Sequence, residues 1–262
     1  MIKIHERKRK MTTEKDDLPI KRCLELSKRA YNRGSYTFSE FLTLDNQNEL
    51  FCAQKSLFET PYSLFGGYNG AERRIAAFGS KEICKYEAVF PISLIEIKPK
   101  AIKFADELTH RDFLGALMSL GMRREVLGDI VVSGKTGYVY CLDSSADYII
   151  ENLTSVKRTS VVCSRAEEIP DFATELPDET TVFVASERLD GVISAVYKLS
   201  RSETQGLIEK KTVFVNSRLT EKSTLILEEK DIVSVRGYGR FIYEGISRST
   251  KKGRLCAEVR IY

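Results

Sequence analysis

The side chains able to do chemistry are few and unevenly placed. The 262-residue chain has two histidines, His5 and His110, too few for a His-rich metal site or a hydrolase built on several imidazoles. Its six cysteines (Cys23, Cys52, Cys84, Cys141, Cys163 and Cys256) never form C-x-x-C. That argues against a zinc ribbon and a redox dithiol, and for reduced thiols in the cytoplasm. The patterns G-x-x-x-x-G-K-[ST], strand–G-x-G-x-x-G–helix and G-x-S-x-G are missing, so neither a cofactor nor a small-molecule substrate is expected. Catalysis would fall to carboxylates, with Asp106, Asp112 and Asp129 the suggestive ones.

Positive charge is what the chain concentrates. The net charge is +4, from 41 basic and 37 acidic residues. From Val182 onward 15 Lys/Arg face 10 Asp/Glu, which leaves the first 181 residues at −1. A local basic surface is the footprint of nucleic-acid binding, although a charged run by itself is most often a solvated face. Within this last third, Ser200-Arg201-Ser202-Glu203 reads as a capping box opening a helix, and such a start suits phosphate. Arg201 is unfavourable there on dipole grounds, as an RNA contact would explain. Lys210 and Lys211 close that helix, followed by a strand and the turn Asn216-Ser217-Arg218, with Lys222 beyond. Arg236-Gly237-Tyr238-Gly239-Arg240 joins arginines that fork onto phosphates to an aromatic that can stack on a base. A C-terminal hairpin ends in a basic tip, Lys251-Lys252-Gly253-Arg254.

Regular elements must position these groups. No apolar run approaches the ~18 residues of a membrane span, and the opening MIKIHERKRKMTTEKDD has no apolar stretch after its charges, so no membrane segment or secretory signal is expected. Met1 and Met11 are both possible starts. Thr13-x-x-Asp16 resembles a capping box for a helix carrying Ile20, Leu24, Ser27/Lys28 and Tyr31 and ending at Gly34. A second helix is expected from Asp45 to Glu59 and a strand near Arg74–Phe78. The middle of the chain predicts strand Val89–Ile97, helix Arg111–Leu120, the hairpin Asp129–Ser133/Gly137–Leu142, helix Ser144–Leu153 and strand Thr159–Ser164. That order, βαββαβ, is ferredoxin-like. Tyr138 and Tyr140 share one face of their strand and either stack on bases or pack inward. Arg123-Arg124 is either a second RNA surface or a solvated turn. His110-Arg111-Asp112 forms a small polar site or simply sets Asp112 at a helix start. In the last third, Ser186 is the expected N-cap of a helix bearing Leu189, Ile193, Val196 and Leu199.

Residues 188–236, running R-L-D, S-R-S-x-x-x-x-L-I, V-x-V-N and D-x-x-S-V-R, resemble the alpha-L RNA-binding motif of ribosomal small-subunit protein four, some pseudouridine synthases and bacterial tyrosyl-tRNA synthetases. The wider chain, over 15–262, resembles the YlmH family of bacterial RNA-binding proteins, through F-G-G-Y-N-G-A-E-R-R (65–74), H-R-D-F-L-G-A-L-M-S-L-G-M-R-R-E (110–125), G-D-I (128–130) and V-R-G-Y-G-R-F (235–241). The resemblance implies that Ser200, Arg201, Ser202, Gln205, Lys210, Lys211, Asn216, Arg218 and Lys222 face RNA, with Arg188 either joining them or pairing with Asp190 inside the fold. Many relatives place a glycine where Lys210-Lys211 stand. Pseudouridine synthases use an R-L-D aspartate, but only 72 residues follow Asp190 here, so Asp190 is read as structural.

The expected class is therefore α+β. A flexible basic N-terminus covers 1–12, a small α+β unit 13–85, a ferredoxin-like unit 86–165, a linker 166–181, and the alpha-L domain with its C-terminal hairpin 182–262. The resemblance implies a non-enzymatic protein that binds ribosomal RNA or tRNA on the large ribosomal subunit during ribosome-associated quality control. Two other readings remain at this point. One is an RNA-modifying enzyme with a divergent site; the other is a cell-division adaptor whose RNA binding is incidental.

Overall fold

The computed structural model describes residues 20–167, 176–250 and 253–262. The expected capping box at Thr13–Asp16 and the hairpin-tip lysines 251 and 252 lie outside them. The fold is α+β, and the chain divides into two compact units, Met1–Thr174 and Glu175–Tyr262. Among the described residues no helix is long and apolar enough to cross a membrane.

The first unit opens with helix α1 (20–33), stopped by Gly34 at φ +60. Its buried face is Cys23, Leu26, Ser27 and Ala30, and Tyr31 is exposed. The expected stripe through Ile20, Leu24 and Tyr31 is thus rotated, because small Ala30 rather than Tyr31 fits against the sheet. Strand β1 (Thr37–Phe38) follows, then helix α2 (Leu44–Leu57), whose capping box is Thr43 with Asn46. Strands β2 (Tyr62–Phe65) and β3 (Ile75–Phe78) complete a three-stranded sheet in the order β1-β3-β2. A short helix α3 (Lys81–Cys84) ends this segment.

Next come β4 (Ile92–Pro99), α4 (His110–Ser119), β5 (Leu127–Ser133), β6 (Thr136–Leu142), α5 (Asp143–Asn152), β7 (Ser155–Val156) and β8 (Thr159–Ala166). The strands lie β5-β6-β4-β8-β7, every pair antiparallel, which is the ferredoxin-like arrangement with one short strand added at an edge. Period-two alternation gives this sheet two apolar faces. One buries Ile95, Ile97, Val139 and Cys141 under Phe113 and Leu117 of α4 and Ala146 and Ile149 of α5. The other buries Leu94, Tyr138 and Tyr140 against Ile75 of β3 and Phe41, which follows β1. Residues 20–85 therefore share a core with the middle segment.

The second unit is a six-stranded antiparallel sheet, β11-β10-β12-β13-β14-β9. Its strands are β9 (Glu179–Val184), β10 (Val213–Val215), β11 (Arg218–Leu219), β12 (Ile232–Val235), β13 (Gly239–Ser249) and β14 (Leu255–Ile261). Residues 179–181, expected in the linker, pair as β9 with Glu258–Arg260 of β14. Helices α6 (Leu189–Tyr197) and α7 (Arg201–Glu209) bury Leu189, Val192, Ile193 and Ile208 against Val213, Val233, Phe241 and Val259. Arg188, not Ser186, occupies the N-cap position of α6, and its side chain does not cap.

Candidate nucleic-acid interface

The loop 222–225 holds the charged start of α6. It grips the start of α6, with Leu189 N donating to Leu225 O (2.8 Å) and Asp190 N to Ser223 O (3.2 Å). The Asp190 carboxylate accepts Arg188 Nε (3.1 Å) and Nη2 (2.6 Å), and also the Gly191 amide (2.8 Å). This two-pronged pair, chiefly the hydrogen bonds from Arg188, holds the Asp190 carboxyl below its usual range, and the nearby Arg201 charge adds to the effect. Arg188 thus has a structural partner, and Asp190 serves as its counter-ion. On the other side of the loop, Lys211 Nζ pairs with Glu221 at 3.0 Å, both side chains more than half exposed. Arg201, Lys211 and Lys222 are all exposed: Lys222 lies in this loop, Lys211 pairs with the residue before it, and the Arg201 charge reaches Asp190, whose amide the loop holds.

The start of α7 carries the expected capping box. Glu203 N donates to Ser200 Oγ (3.2 Å), and Ser200 N donates to Glu203 Oε2 (2.8 Å). The Ser200 hydroxyl, which donates to Glu203 Oε2 at 2.6 Å, and then the Ser200 amide hold the Glu203 carboxyl below its usual range. A carboxylate already seated there offsets the positive helix end, so the helix start by itself offers little to a phosphate. Arg201, Ser202 and Gln205 are exposed while Thr204 and Ile208 are buried. Gln205 Nε2 donates to Glu209 Oε1 at 3.1 Å. Lys210 caps the helix C-terminus, and Lys211 takes the left-handed conformation, φ +59. That backbone favours glycine, the residue that the resemblance led one to expect at Lys210-Lys211.

Asn216 and Ser217 both have positive φ and form the two-residue turn from β10 to β11. The Asn216 side chain is occupied: Nδ2 donates to Asp231 Oδ1 (2.7 Å) and Oδ1 accepts Ile232 N (3.0 Å). Asn216 therefore shapes the turn, and Arg218 next to it is exposed. Farther along the sheet, Arg236 stands 5.6 Å from the centroid of the Phe214 ring and Arg240 4.1 Å from that of Tyr262. Tyr238 is exposed beside Tyr197, ring centroids 5.5 Å apart. Arg254 is exposed near the hairpin tip.

The second surface expected in the middle segment has other duties. Tyr138 and Tyr140 are only 4% and 6% exposed. Tyr138 donates its hydroxyl to Glu96 (3.1 Å), while Tyr140 stacks on Tyr68 at 5.3 Å, where burial pushes its phenol up to about 12. Neither ring is offered to a base, because the N-terminal sheet occupies their face. Arg124 turns back onto Leu127 O (2.7 Å) and Gly128 O (3.2 Å), and burial lowers its pKa. Arg123 is exposed and paired with Glu40.

The candidate carboxylates are likewise engaged. Asp129 accepts Tyr68 Oη (3.0 Å), Glu72 N (2.7 Å) and Arg73 N (3.0 Å). Gly67 passes so close to Tyr140 that an added Cβ would lie 2.3 Å from the ring. These contacts give G-G-Y-N-G-A-E-R-R and G-D-I a joint purpose, clamping the N-terminal sheet to the middle one. Sequence reasoning missed Arg73, whose guanidinium donates to Leu127 O, Phe41 O and Arg124 O, and whose burial pulls its pKa down to about 10. Its only sequence signal was the pair Arg73-Arg74. Asp112 caps α4 and pairs with Lys157 at 2.7 Å; the bonds from Lys157 and Thr109 bring it to about 2. Asp106 accepts the Thr159 hydroxyl at 3.4 Å. His110 opens α4, its pKa lowered chiefly by burial.

Residues 86–169 match the family model described as "Putative RNA-binding domain in YlmH". The chain is 32% identical over 196 residues to the Ribosome-associated protein quality control protein P2 of Bacillus subtilis, covering 72% of this chain and 73% of that protein. The solved structure of the cell division protein ylmH from Streptococcus pneumoniae aligns at 20% identity with a TM-score of 0.46, over 58% of this chain and 91% of that one. With its middle segment matching the family model and nearly three quarters of its length aligned to that relative, this chain belongs to the YlmH family.

Proposed function

We propose that this protein is a non-catalytic RNA-binding protein acting on the large ribosomal subunit in ribosome-associated quality control. In this reading its C-terminal unit docks on folded ribosomal RNA or tRNA. The observation that carries the RNA reading is that three exposed cations flank the loop bound to α6: Lys222 within it, Lys211 paired with the adjoining Glu221, and Arg201 in the first turn of α7, its charge reaching Asp190. Exposed cations on a scaffold fixed by backbone hydrogen bonds suit phosphates held at defined spacing in a folded RNA. The match of residues 86–169 to an RNA-binding family model supports it, and the ribosome enters through the name of the Bacillus relative. Arg188 then acts indirectly, holding Asp190 and the start of α6.

Ser202, Gln205, Lys210 and Arg218 extend the contact in this reading. Arg236, Tyr238, Arg240 and Arg254 offer charge and one exposed ring to more distant RNA. A modifying enzyme would need a carboxylate free to exchange a proton with substrate. The three candidates instead hold a helix cap, a threonine hydroxyl and an interdigitated loop, which favours the non-catalytic reading.

The test is sedimentation of native lysate with crosslinking and sequencing of bound RNA. The protein should travel with free large subunits and crosslink to ribosomal RNA and tRNA. Residence at the top of the gradient without such crosslinks would overturn the assignment.

A further inference from the structure

The tyrosine-bearing face of the middle sheet is covered at one end only. Along β4, Leu94 lies under the N-terminal sheet, Glu96 takes the Tyr138 hydroxyl, and Lys98 is exposed. Lys98 is in register with Val162 of β8, which is also exposed. Beyond Pro99 the chain makes one 3₁₀ turn, Ile102–Phe104, with Ile102 70% and Phe104 82% exposed. Phe104 is the most open phenylalanine among the described residues.

This turn is anchored on both sides. Lys135, from the β5–β6 turn, donates through Nζ to Ala105 O (2.6 Å) and Ile102 O (3.4 Å). Asp106 N donates to Thr159 Oγ1 (2.9 Å), and Lys100 N to Ser160 O (2.9 Å). Lys103 Nζ stands 5.9 Å from the Phe104 ring centroid. Lys98, Lys100, Lys103 and Arg158 are all exposed at this end of the sheet. The neighbouring acids are engaged, Glu96 with Lys98 at 2.7 Å, Glu107 with Lys135 at 3.7 Å and Asp106, itself exposed, with the Thr159 hydroxyl at 3.4 Å.

We propose that Phe104 is a stacking platform for an unpaired nucleotide, with Lys98, Lys100 and Lys103 neutralising the phosphates on either side. Every base has a π-face, so an exposed ring on a braced backbone recognises an unstacked base without reading its sequence. Lysines on flexible stems follow the adjoining backbone as point charges. The same surroundings disfavour a protein partner, because lysine is depleted from the cores of protein interfaces. This inference rests on the RNA-binding reading above and adds to it a second contact of different chemistry. It also moves stacking from Tyr138 and Tyr140, whose rings are buried, to the open end of the sheet.

The test is fluorescence anisotropy on the full chain with two probes, a labelled twelve-nucleotide oligouridine and a fully paired RNA hairpin. Phe104→Ala should weaken the oligouridine on the order of tenfold, Phe104→Trp should restore it, and Phe104→Leu should not. Lys98→Ala, Lys100→Ala and Lys103→Ala together should flatten the salt dependence of oligouridine binding by about 2 in log–log slope, at roughly 0.7 per phosphate on a single strand. Because these side chains are exposed, the fold should be unchanged by circular dichroism. Equal oligouridine affinity in Phe104→Ala and the parent would overturn the proposal, as would full affinity in Phe104→Leu. Arg201→Ala with Lys211→Ala addresses the hairpin probe. Loss there with no effect of Phe104→Ala would leave the main reading standing and this one refuted, and the reverse pattern would do the opposite.

Discussion

Asp129 is the most informative residue to remove, because it separates a clamp from a catalyst. Its carboxylate accepts three hydrogen bonds from the 68–73 loop, two of them partly buried, from Tyr68 Oη and Arg73 N. The third, from Glu72 N, is exposed and adds little. Hydrogen bonds to a charged group contribute about 1.5–3 kcal/mol each. Asp129 is also an attractive counter-charge for the partly buried guanidiniums of Arg73 and Arg124; burial lowers the pKa of both, and the Arg124 charge lowers that of Arg73 further. Asp129→Ala should therefore destabilise the first unit by about 3 kcal/mol, and Asp129→Asn, which keeps one acceptor, by roughly half as much. For a unit of this size that is a fall in Tm of about 6–12 °C. Thermal unfolding by circular dichroism, with hydrogen exchange to assign the transition, should show early loss in residues 68–78 and none in 213–259. Binding of hairpin RNA below the transition should be unchanged. A change under about 0.5 kcal/mol would refute the clamp, as would loss of RNA binding in a fully folded variant.

Three further outcomes follow from particular geometries. Lys211→Gly should stabilise the second unit by about 0.5–1 kcal/mol and so raise its melting temperature, since φ +59 strains a lysine; the same variant should lose the RNA affinity that Lys211→Ala loses, and a destabilised glycine variant would contradict the strain. Gly67→Ala should cost several kcal/mol, because its Cβ would fall 2.3 Å from the Tyr140 ring at φ +104, and a melting temperature like the parent's would contradict that packing. Asp190, Glu203, Glu244 and Glu258 all titrate below the ordinary carboxylate range, each through hydrogen-bonding partners. Their stabilisation is present above the unfolded-state pKa near ~4 and is lost as pH falls through the lower folded values. Acid titration of the second unit followed by circular dichroism should show that decline, flattened in Glu244→Gln; a steeper dependence in that variant would run against the linkage.

Local signals made much of the fold legible in the sequence. Helix caps at Ser200–Glu203, the glycine stops at Gly34 and Gly121, and the β5–β6 turn are set by residues within a few positions of one another. The ferredoxin-like order followed from the alternation of strand and helix periods. What stayed hidden depends on pairing across long stretches of chain. A period of two places Tyr138 and Tyr140 on one face, but only the packing of Phe41 and Ile75, some 60 to 100 residues earlier, shows that the face is closed. The strand at Glu179–Val184 sits beside an acidic, proline-bearing stretch and gains its identity from β14, about 80 residues later. Among the candidate site residues, charge and spacing singled out Arg201, Lys211 and Lys222. They did not separate these from Asn216, which spends its amide on Asp231 and Ile232, or from Arg124, which folds back on its own backbone. A side chain's local partner is settled by geometry that its neighbours in sequence do not encode.

The central claim, that RNA is held by the cations around loop 222–225, is tested most directly by the salt dependence of affinity for a structured ribosomal RNA or tRNA. The parent and Arg201→Ala/Lys211→Ala should be titrated side by side. Each phosphate contact removed should lower the slope of log affinity against log salt by roughly 0.7–0.9, so the double variant should lose about 1.5 and bind more weakly at low salt. The same slope and affinity in both proteins would place the RNA elsewhere and contradict the account.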